Sequence, residues 1–479
     1  MRLHEAASAL QASAVGPDVE FTSVSTDSRN LPAGSLFVAL RGDRFDGHAY
    51  AAKALEQGAA AVMVEASARL DVAPAMVVKD TRLGLGRLAA WHRMAMPAQV
   101  VAITGSNGKT TVKEMLAAIL NGHAGEAAVL ATRGNFNNEI GMPLTLLRLA
   151  PQHRYAVLEM GMNHPGELTY LSRLARPDVA LVNNALRAHL EGLGSVEAVA
   201  RAKGEIYTGL RHDGIALINA DDPHADLWRE MADGRRIVSF GVERGDVRAD
   251  CRLQEFGAEL TLHTPAGDVQ AVLNVPGLHN VRNAVAAAAA AYVMDIPLAD
   301  IARGLAAFAG VKGRLQAHPC ILGARLIDDT YNANPDSVAA AIAVLAARKG
   351  SRILVLGDMG ELGPESAELH REIGATARQA GIDRLLCLGE QTLQTVAAFG
   401  PGAMHFERIE ELLAEIENAM AEGHSVSAQA NAGEAGVKVA AASGRSQVAT
   451  NPVTVLVKGS RFMKMERVVQ SFIESQACS

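Results

Sequence analysis

Val100-Val101-Ala102-Ile103 runs directly into Thr104-Gly105-Ser106-Asn107-Gly108-Lys109-Thr110-Thr111, and the reading of this stretch decides the fold. Four apolar residues form a strand, a glycine-bearing turn follows, and the pattern after it predicts a helix over 109–120. In that order the parts make a cradle for polyphosphate. Gly105 and Gly108 let backbone N–H groups approach an anion, with Ser106, Asn107 and Thr111 in the same turn. The helix N-terminus favours negative charge, Lys109 supplies a point charge, and the Thr110 hydroxyl can ligate Mg²⁺. The two glycines are separated by two residues rather than the usual four, so the common phosphate-loop pattern is not met. An ordinary turn with a surface lysine would not require strand, glycines, Lys-Thr-Thr and helix together.

Outward from this loop, short β-branched runs alternate with Ala/Leu-rich stretches of helical period, the pattern of an α/β protein with largely parallel sheets. The 479 residues are too many for one core, and about 150 residues per domain predicts three. A small N-terminal α/β domain is expected over 1–82, with strands at 35–40, 60–65 and 75–79 and a helix at 48–57. A central phosphate-loop domain with a mostly parallel sheet is expected over 83–313, with further strands at 155–160, 179–183 and 215–219, a hairpin near 258–274 and a helix through 284–291. The alternation restarts at Arg325, predicting a Rossmann-like third domain over 314–479 whose ligands lie beyond the carboxyl ends of its strands. Residues 421–451 break the pattern: they lack aromatics, Leu and Ile, are dominated by Ala, Gly and Ser, and predict a flexible surface insertion.

Lys plus Arg number 45 and Asp plus Glu 52, a net charge of −7. That gives no basic footprint for nucleic acid or an anionic membrane, so a phosphorylated ligand needs a local site. Cys251, Cys320, Cys387 and Cys478 are scattered without a CxxC pair, which argues against a disulfide framework or zinc site and fits a reducing cytoplasm. The longest apolar run, 284–294, is about half the ~20 residues of a membrane span, and no secretion signal is evident. Glu159 ends the apolar strand 155–160, where a hard oxygen ligand suits Mg²⁺; a surface ion pair is the alternative. Asn280 and Asn283, three apart, share a helix face, and an amide can both donate to and accept from an adenine edge, although Asn280 could equally cap the helix.

The loop TGSNGKTT (104–111), together with GNFNNEIGMPLTLL (134–147), LEMGMNHPGEL (158–168), AHLEGLGSVEAVARAKGEIY (188–207), GLHNVRNAVAAA (277–288), DDTYNANPDSV (328–338), GDMGELG (357–363) and VLVKGSR (455–461), resembles the Mur ligases, and within them the D-alanyl-D-alanine-adding branch. These are ATP-dependent amide-forming enzymes of peptidoglycan precursor synthesis. The resemblance covers nearly the whole chain outside 421–451.

It implies a first domain for a UDP-sugar nucleotide, a central ATPase, and a third domain that closes over ATP and helps bind the incoming amine, in a monomeric cytoplasmic enzyme. It implies ATP and Mg²⁺ as cofactors, and UDP-N-acetylmuramoyl tripeptide and D-alanyl-D-alanine as substrates. His189 would bind a second Mg²⁺, although a loop histidine is by itself more often solvated. Lys203 would be carbamylated by CO₂ into a carboxylate-like metal ligand, whereas its default is a solvated ammonium. Arg314 would reach the γ-phosphate, and Asp329 the ATP ribose. Asn332 and Asn334 follow in the same loop as substrate candidates, where they could equally be turn residues, and Lys458 and Arg461, just past the final strand at the ligand edge of the third domain, are assigned to substrate carboxylate or phosphate. Ser28 and the Arg41-Gly42 backbone would hold the uridine nucleotide. One departure stands out: before Ala188-His189 this chain has Leu186-Arg187, where many relatives carry small residues or Gly-Pro.

The implied reaction phosphorylates a C-terminal carboxylate, and the resulting acyl phosphate is taken by an amine. Meeting of two anions demands charge neutralisation and in-line positioning, which Lys109, Mg²⁺, Arg314 and the helix N-terminus can supply. Alternatives are a Mur or folylpolyglutamate-type ligase with another acceptor, or a nucleotide-binding module without catalysis.

Overall fold

The computed structural model describes residues 1–43, 45–434 and 452–477. Its central sheet has six parallel strands in the order 236–240, 215–219, 179–182, 99–104, 155–159 and 129–131. The phosphate-loop strand Gln99–Thr104 lies between Tyr155–Glu159 and Val179–Val182, so successive connections leave it in opposite directions. That makes its carboxyl end a topological switch point, where such sheets bind ligands. Alternate residues along these strands feed two cores, Val101, Ile103, Val157 and Leu181 on one face and Val100, Ala102, Leu158 and Val182 on the other. Burial on both faces is why the strands read as unbroken apolar runs.

Helix Leu278–Tyr292 carries the alanine tract, and Ala284 to Ala291 are all buried. Their small side chains let it lie close against helix Lys109–Ala124, so the two helices whose N-termini face the phosphate loop form one rigid block. The expected hairpin is part of a three-stranded antiparallel meander, Arg248–Gln254, Gly257–Thr264 and Gly267–Leu273.

The first sheet has five strands rather than the three expected, because the short strands Ser13–Val15 and Ser23–Ser25 add to its edges. Helix Thr81–Met94 leads into the central sheet, and the expected division at residue 82 falls within it. The third sheet also has six strands, parallel apart from Gln316–Pro319 at its edge, in the order 316–319, 325–329, 453–458, 351–357, 384–388 and 403–406.

One expectation is corrected. A flexible surface insertion was expected over about 421–451, but helix Ile409–Glu434 runs through the first part of it. Alanine, glutamate and glutamine are good helix formers, so a segment with no large apolar residues can still prolong a helix. The remainder of the expected insertion, 435–451, lies outside the described residues. Among the described residues no helix is long and apolar enough to cross a membrane.

Candidate active site

The loop after Thr104 is held by the neighbouring strand end. Asn184 receives the Asn107 N–H on its Oδ1 at 2.9 Å and the Ser106 N–H on its backbone oxygen at 3.0 Å, while Asn183 Nδ2 donates to the Asn107 oxygen at 2.9 Å. Asn183 also donates to Asn283 Oδ1 at 3.0 Å, and Asn283 donates to Asn280 Oδ1 at 3.3 Å. Asn280 itself donates to the Pro276 oxygen, and the helix N-cap is Gly277, so Asn280 does not cap that helix. Gly108 has φ +81°, and a Cβ there would sit 2.2 Å from Asn283 Oδ1 and 2.6 Å from Asn183 Nδ2. Both the backbone conformation and the lack of space therefore demand glycine.

Lys109 folds back over its own turn, donating to the Gly105 oxygen at 2.6 Å and the Ser106 oxygen at 3.3 Å. Burial lowers its pKa; Glu159 opposes that shift and Arg314 adds to it. Thr110 Oγ1 donates to Glu159 Oε2 at 2.8 Å, Asn137 Nδ2 donates to Glu159 Oε1 at 2.9 Å, and Arg314 Nη2 donates to Thr110 Oγ1 at 3.0 Å. The Arg314 guanidinium lies 4.2 Å from the centre of the Tyr331 ring, a cation–π distance. Glu159 is buried beside a hydroxyl and an amide. That oxygen-rich setting suits a hard cation such as Mg²⁺, which takes one or two carboxylates and keeps waters and phosphate oxygens. Among the described residues no cluster of three or more His, Cys, Asp or Glu side chains forms an all-protein metal cage.

These groups open onto one cavity of about 1600 Å³ between the central and third domains. Single-ligand sites are typically ~300–1,000 Å³. Of the residues singled out from sequence, Ser106 to Thr111, Glu159, His189, Asn280, Asn283, Arg314, Asp329, Asn332, Asn334, Lys458 and Arg461 line it. Asp329 and Lys458 are buried and paired at 2.6 Å, and Lys458 also donates to the Asn332 oxygen at 2.9 Å. Burial pushes the Asp329 pKa up, and Lys458 and Arg314 oppose that. Arg461 is exposed and pairs with Glu466 at 3.0 Å. His189 Nδ1 lies 2.8 Å from Glu361 Oε2, which lowers the Glu361 pKa.

Lys203 does not line the cavity. It is buried in helix Val196–Gly204, and burial followed by repulsion from Lys109 pushes its pKa well down. Ser28, Arg41 and Gly42 are also outside the cavity: Arg41 lies in the two-residue strand Arg41–Gly42 of the first domain, paired with Asp46 at 3.1 Å and Glu65 at 3.2 Å. Sequence reading missed Asn137, Asn183, Asn184 and Tyr331. The consecutive asparagines after an apolar strand were the available signal for the loop supports, because side-chain amides there can replace backbone partners.

Residues 20–102 match the Mur ligase family catalytic domain, 103–291 the Mur ligase middle domain and 313–461 the Mur ligase glutamate ligase domain. The chain is 43% identical over 466 residues to the UDP-N-acetylmuramoyl-tripeptide–D-alanyl-D-alanine ligase of Escherichia coli, covering 97% of this chain and 96% of that one. It is 35% identical over 460 residues to the enzyme of the same name from Bacillus subtilis, covering 94% and 93%. The structure resembles that of MurF from Acinetobacter baumannii, with a TM-score of 0.86, 35% identity and 98% of each chain covered. It also resembles the MurF ligase of Thermotoga maritima in complex with ADP, with a TM-score of 0.78, 27% identity and 94% and 97% covered.

Proposed function

The chain belongs to the Mur ligase family, and from that premise we propose that this ATP-dependent ligase joins D-alanyl-D-alanine to UDP-N-acetylmuramoyl tripeptide through an acyl phosphate. The observation that carries the proposal is the convergence of the phosphate loop, the Thr110–Glu159 pair and Arg314 on one cavity with room for more than a nucleotide.

In the first step a tripeptide carboxylate oxygen attacks the γ-phosphorus of ATP, and the bond to the bridging oxygen breaks to release ADP. Lys109 exchanges its two carbonyl partners for phosphate oxygens, and the loop N–H groups and helix N-terminus hold the remaining charge. Arg314, the cation reaching across from the third domain, neutralises charge on the transferring group. Thr110 and Glu159 would hold Mg²⁺, with His189 and a carbamylated Lys203 serving a second ion; bound Mg²⁺ offsets the repulsion between the two anions. The neutral amine is the form that reacts with CO₂, and burial shifts Lys203 toward it, which supports carbamylation. In the second step the dipeptide amine attacks the acyl carbon, the bond to the phosphate oxygen breaks, and the amine's proton passes to the departing phosphate.

Asn280 and Asn283 support the loop and face the nucleotide, Asp329 receives the ribose with its charge set by Lys458, and Asn332, Asn334 and Arg461 meet the acceptor. The uridine nucleotide binds on the first domain at Ser28 and Arg41-Gly42, which follow the carboxyl ends of parallel strands Ser23–Ser25 and Ser35–Val38. Incubating the protein with ATP, Mg²⁺ and UDP-muramoyl tripeptide, and offering D-alanyl-D-alanine, glutamate or a diamino acid in turn, tests this by product mass. Amide product with an acceptor other than D-alanyl-D-alanine would refute the assigned specificity, and nucleotide binding with no product at all would refute ligation.

A further inference from the structure

The cavity that holds the phosphate loop is also lined by Arg82 and Leu83, in the first turn of helix Thr81–Met94, and by Asn138 and Glu139, which follow Asn137. This helix leads from the first domain into the central one, so a substrate held by its nucleotide on the first domain and reacting beside Glu159 passes this junction. The helix is firmly seated: Asp80, its N-cap, accepts the Leu83 N–H at 2.9 Å, and a Cβ on Gly86 would sit 2.1 Å from the Tyr170 hydroxyl. Arg82 Nη1 and Glu139 Oε1 lie 3.9 Å apart, beyond hydrogen-bond distance, with side chains 53% and 40% exposed. Neither side chain has another ionic partner or a hydrogen bond among the described residues. Other carboxylates of the cavity are engaged by backbone, Glu167 by the Asn163 N–H at 2.7 Å and Asp222 by the Ala185 N–H at 3.0 Å.

A pair so loose and exposed adds little to the fold, and a ligand separates it at small cost. What it presents is a cation beside an anion. A zwitterion matches both, carboxylate to Arg82 and ammonium to Glu139, whereas a lone ammonium is opposed by Arg82 and a lone carboxylate by Glu139. Position decides which part of the substrate arrives there. Asn137 Nδ2 binds Glu159, beside which the terminal carboxylate reacts, and Glu139 lies two residues further on, a span of at most ~7 Å. A side chain of three methylenes on the reacting residue covers such a gap. We propose that Arg82 and Glu139 read the far end of the tripeptide's third side chain. They select diaminopimelate, which ends in an ammonium and a carboxylate on one carbon, over lysine, which ends in an ammonium alone. The inference rests on the ligase reading and adds to it the residue that the substrate carries at its reacting end.

The full chain is offered UDP-N-acetylmuramoyl tripeptide ending in diaminopimelate or in lysine, with ATP, Mg²⁺ and D-alanyl-D-alanine. The parent should use the diaminopimelate form with the higher kcat/KM. In Arg82→Gln the KM for that form should rise roughly 10- to 30-fold, the lower range for a charge-assisted hydrogen bond because the arginine is half-exposed, while the KM for the lysine form does not rise. Glu139→Gln should raise both, since both forms carry the ammonium. Arg82→Lys keeps the charge without the planar fork and should retain part of the preference. The thermal midpoint and the KM for ATP should stay at parental values in all three, which separates loss of recognition from loss of fold. A parent without preference for diaminopimelate, an unchanged KM in Arg82→Gln, or a loss equal for the two forms would overturn the proposal; an equal loss would put Arg82 on a carboxylate that both share. Titration calorimetry with the two UDP-tripeptides reads the same preference without turnover. If the parent forms no amide, the ligase reading fails while the binding comparison still judges the pair.

Discussion

Lys109 follows the strand Gln99–Thr104 of the central sheet, and Lys458 ends the strand Val453–Lys458 of the third-domain sheet. Both sheets have six strands, and both lysines sit at the carboxyl edge where parallel sheets bind ligands. Their surroundings differ. Lys109 is satisfied by two carbonyls of its own turn, partners an arriving phosphate can replace. Lys458 lies in register with Asp329 on the adjacent parallel strand, so the two side chains emerge side by side and neutralise each other in a buried pair. Position in the fold brings a cation to a ligand edge, and the residue on the neighbouring strand decides whether its charge is available.

The comparison breaks first at Lys109. Lys109→Ala should lower kcat by at least ~10²–10³-fold, the usual consequence of losing a group that stabilises transition-state charge. Its thermal midpoint should stay within a few degrees of the parent, because the lysine's partners are backbone oxygens of the loop. Gly108→Ala comes next: titration calorimetry with ATP should show affinity reduced about 100-fold or more, because the added methyl meets Asn283 and the loop must move. Equal ATP affinity in this variant would mean the loop is not the phosphate site.

Lys458→Met should act on stability instead, costing about 3–5 kcal/mol in denaturant unfolding because Asp329 is left buried without its partner. With Lys458 gone the native carboxyl is pushed further up. The native state then binds the extra proton, and the deficit should shrink as pH falls. Adding Asp329→Asn should recover most of the loss. The smallest effect on stability is at Lys203. Its native pKa is depressed, so the unfolded chain binds more protons and the residue costs stability below its unfolded pKa. In CO₂-depleted buffer Lys203→Met should raise the thermal midpoint by a few degrees near neutral pH, less so toward pH 10, while abolishing turnover. A lower midpoint would mean that the buried amine has a stabilising partner.

Most of this architecture was legible in the sequence because parallel strands buried on both faces announce themselves as apolar runs. The strands over 99–104, 155–159, 179–182 and 215–219 were located to within a residue or two. Short edge strands such as Ser13–Val15 carry no such run, since all three residues are exposed. The phosphate loop was legible through its order of parts, whereas its supports at Asn183 and Asn184 depend on which strand lies beside it, a long-range fact. Arg187 was visible as an oddity, and only the fold brings it to Asp336, far along the chain. The helix that runs on to Glu434 escaped because a segment of Gly, Ser and Ala with sparse apolar residues shows no apolar periodicity.

Ligation through an acyl phosphate is tested most directly by following one oxygen atom. UDP-muramoyl tripeptide labelled with oxygen-18 in its terminal carboxylate, incubated with the protein, ATP, Mg²⁺ and D-alanyl-D-alanine, should yield pentapeptide together with inorganic phosphate carrying one heavy oxygen per amide bond formed. Amide formation with unlabelled phosphate would contradict the account, because the carboxylate oxygen would then never have been phosphorylated.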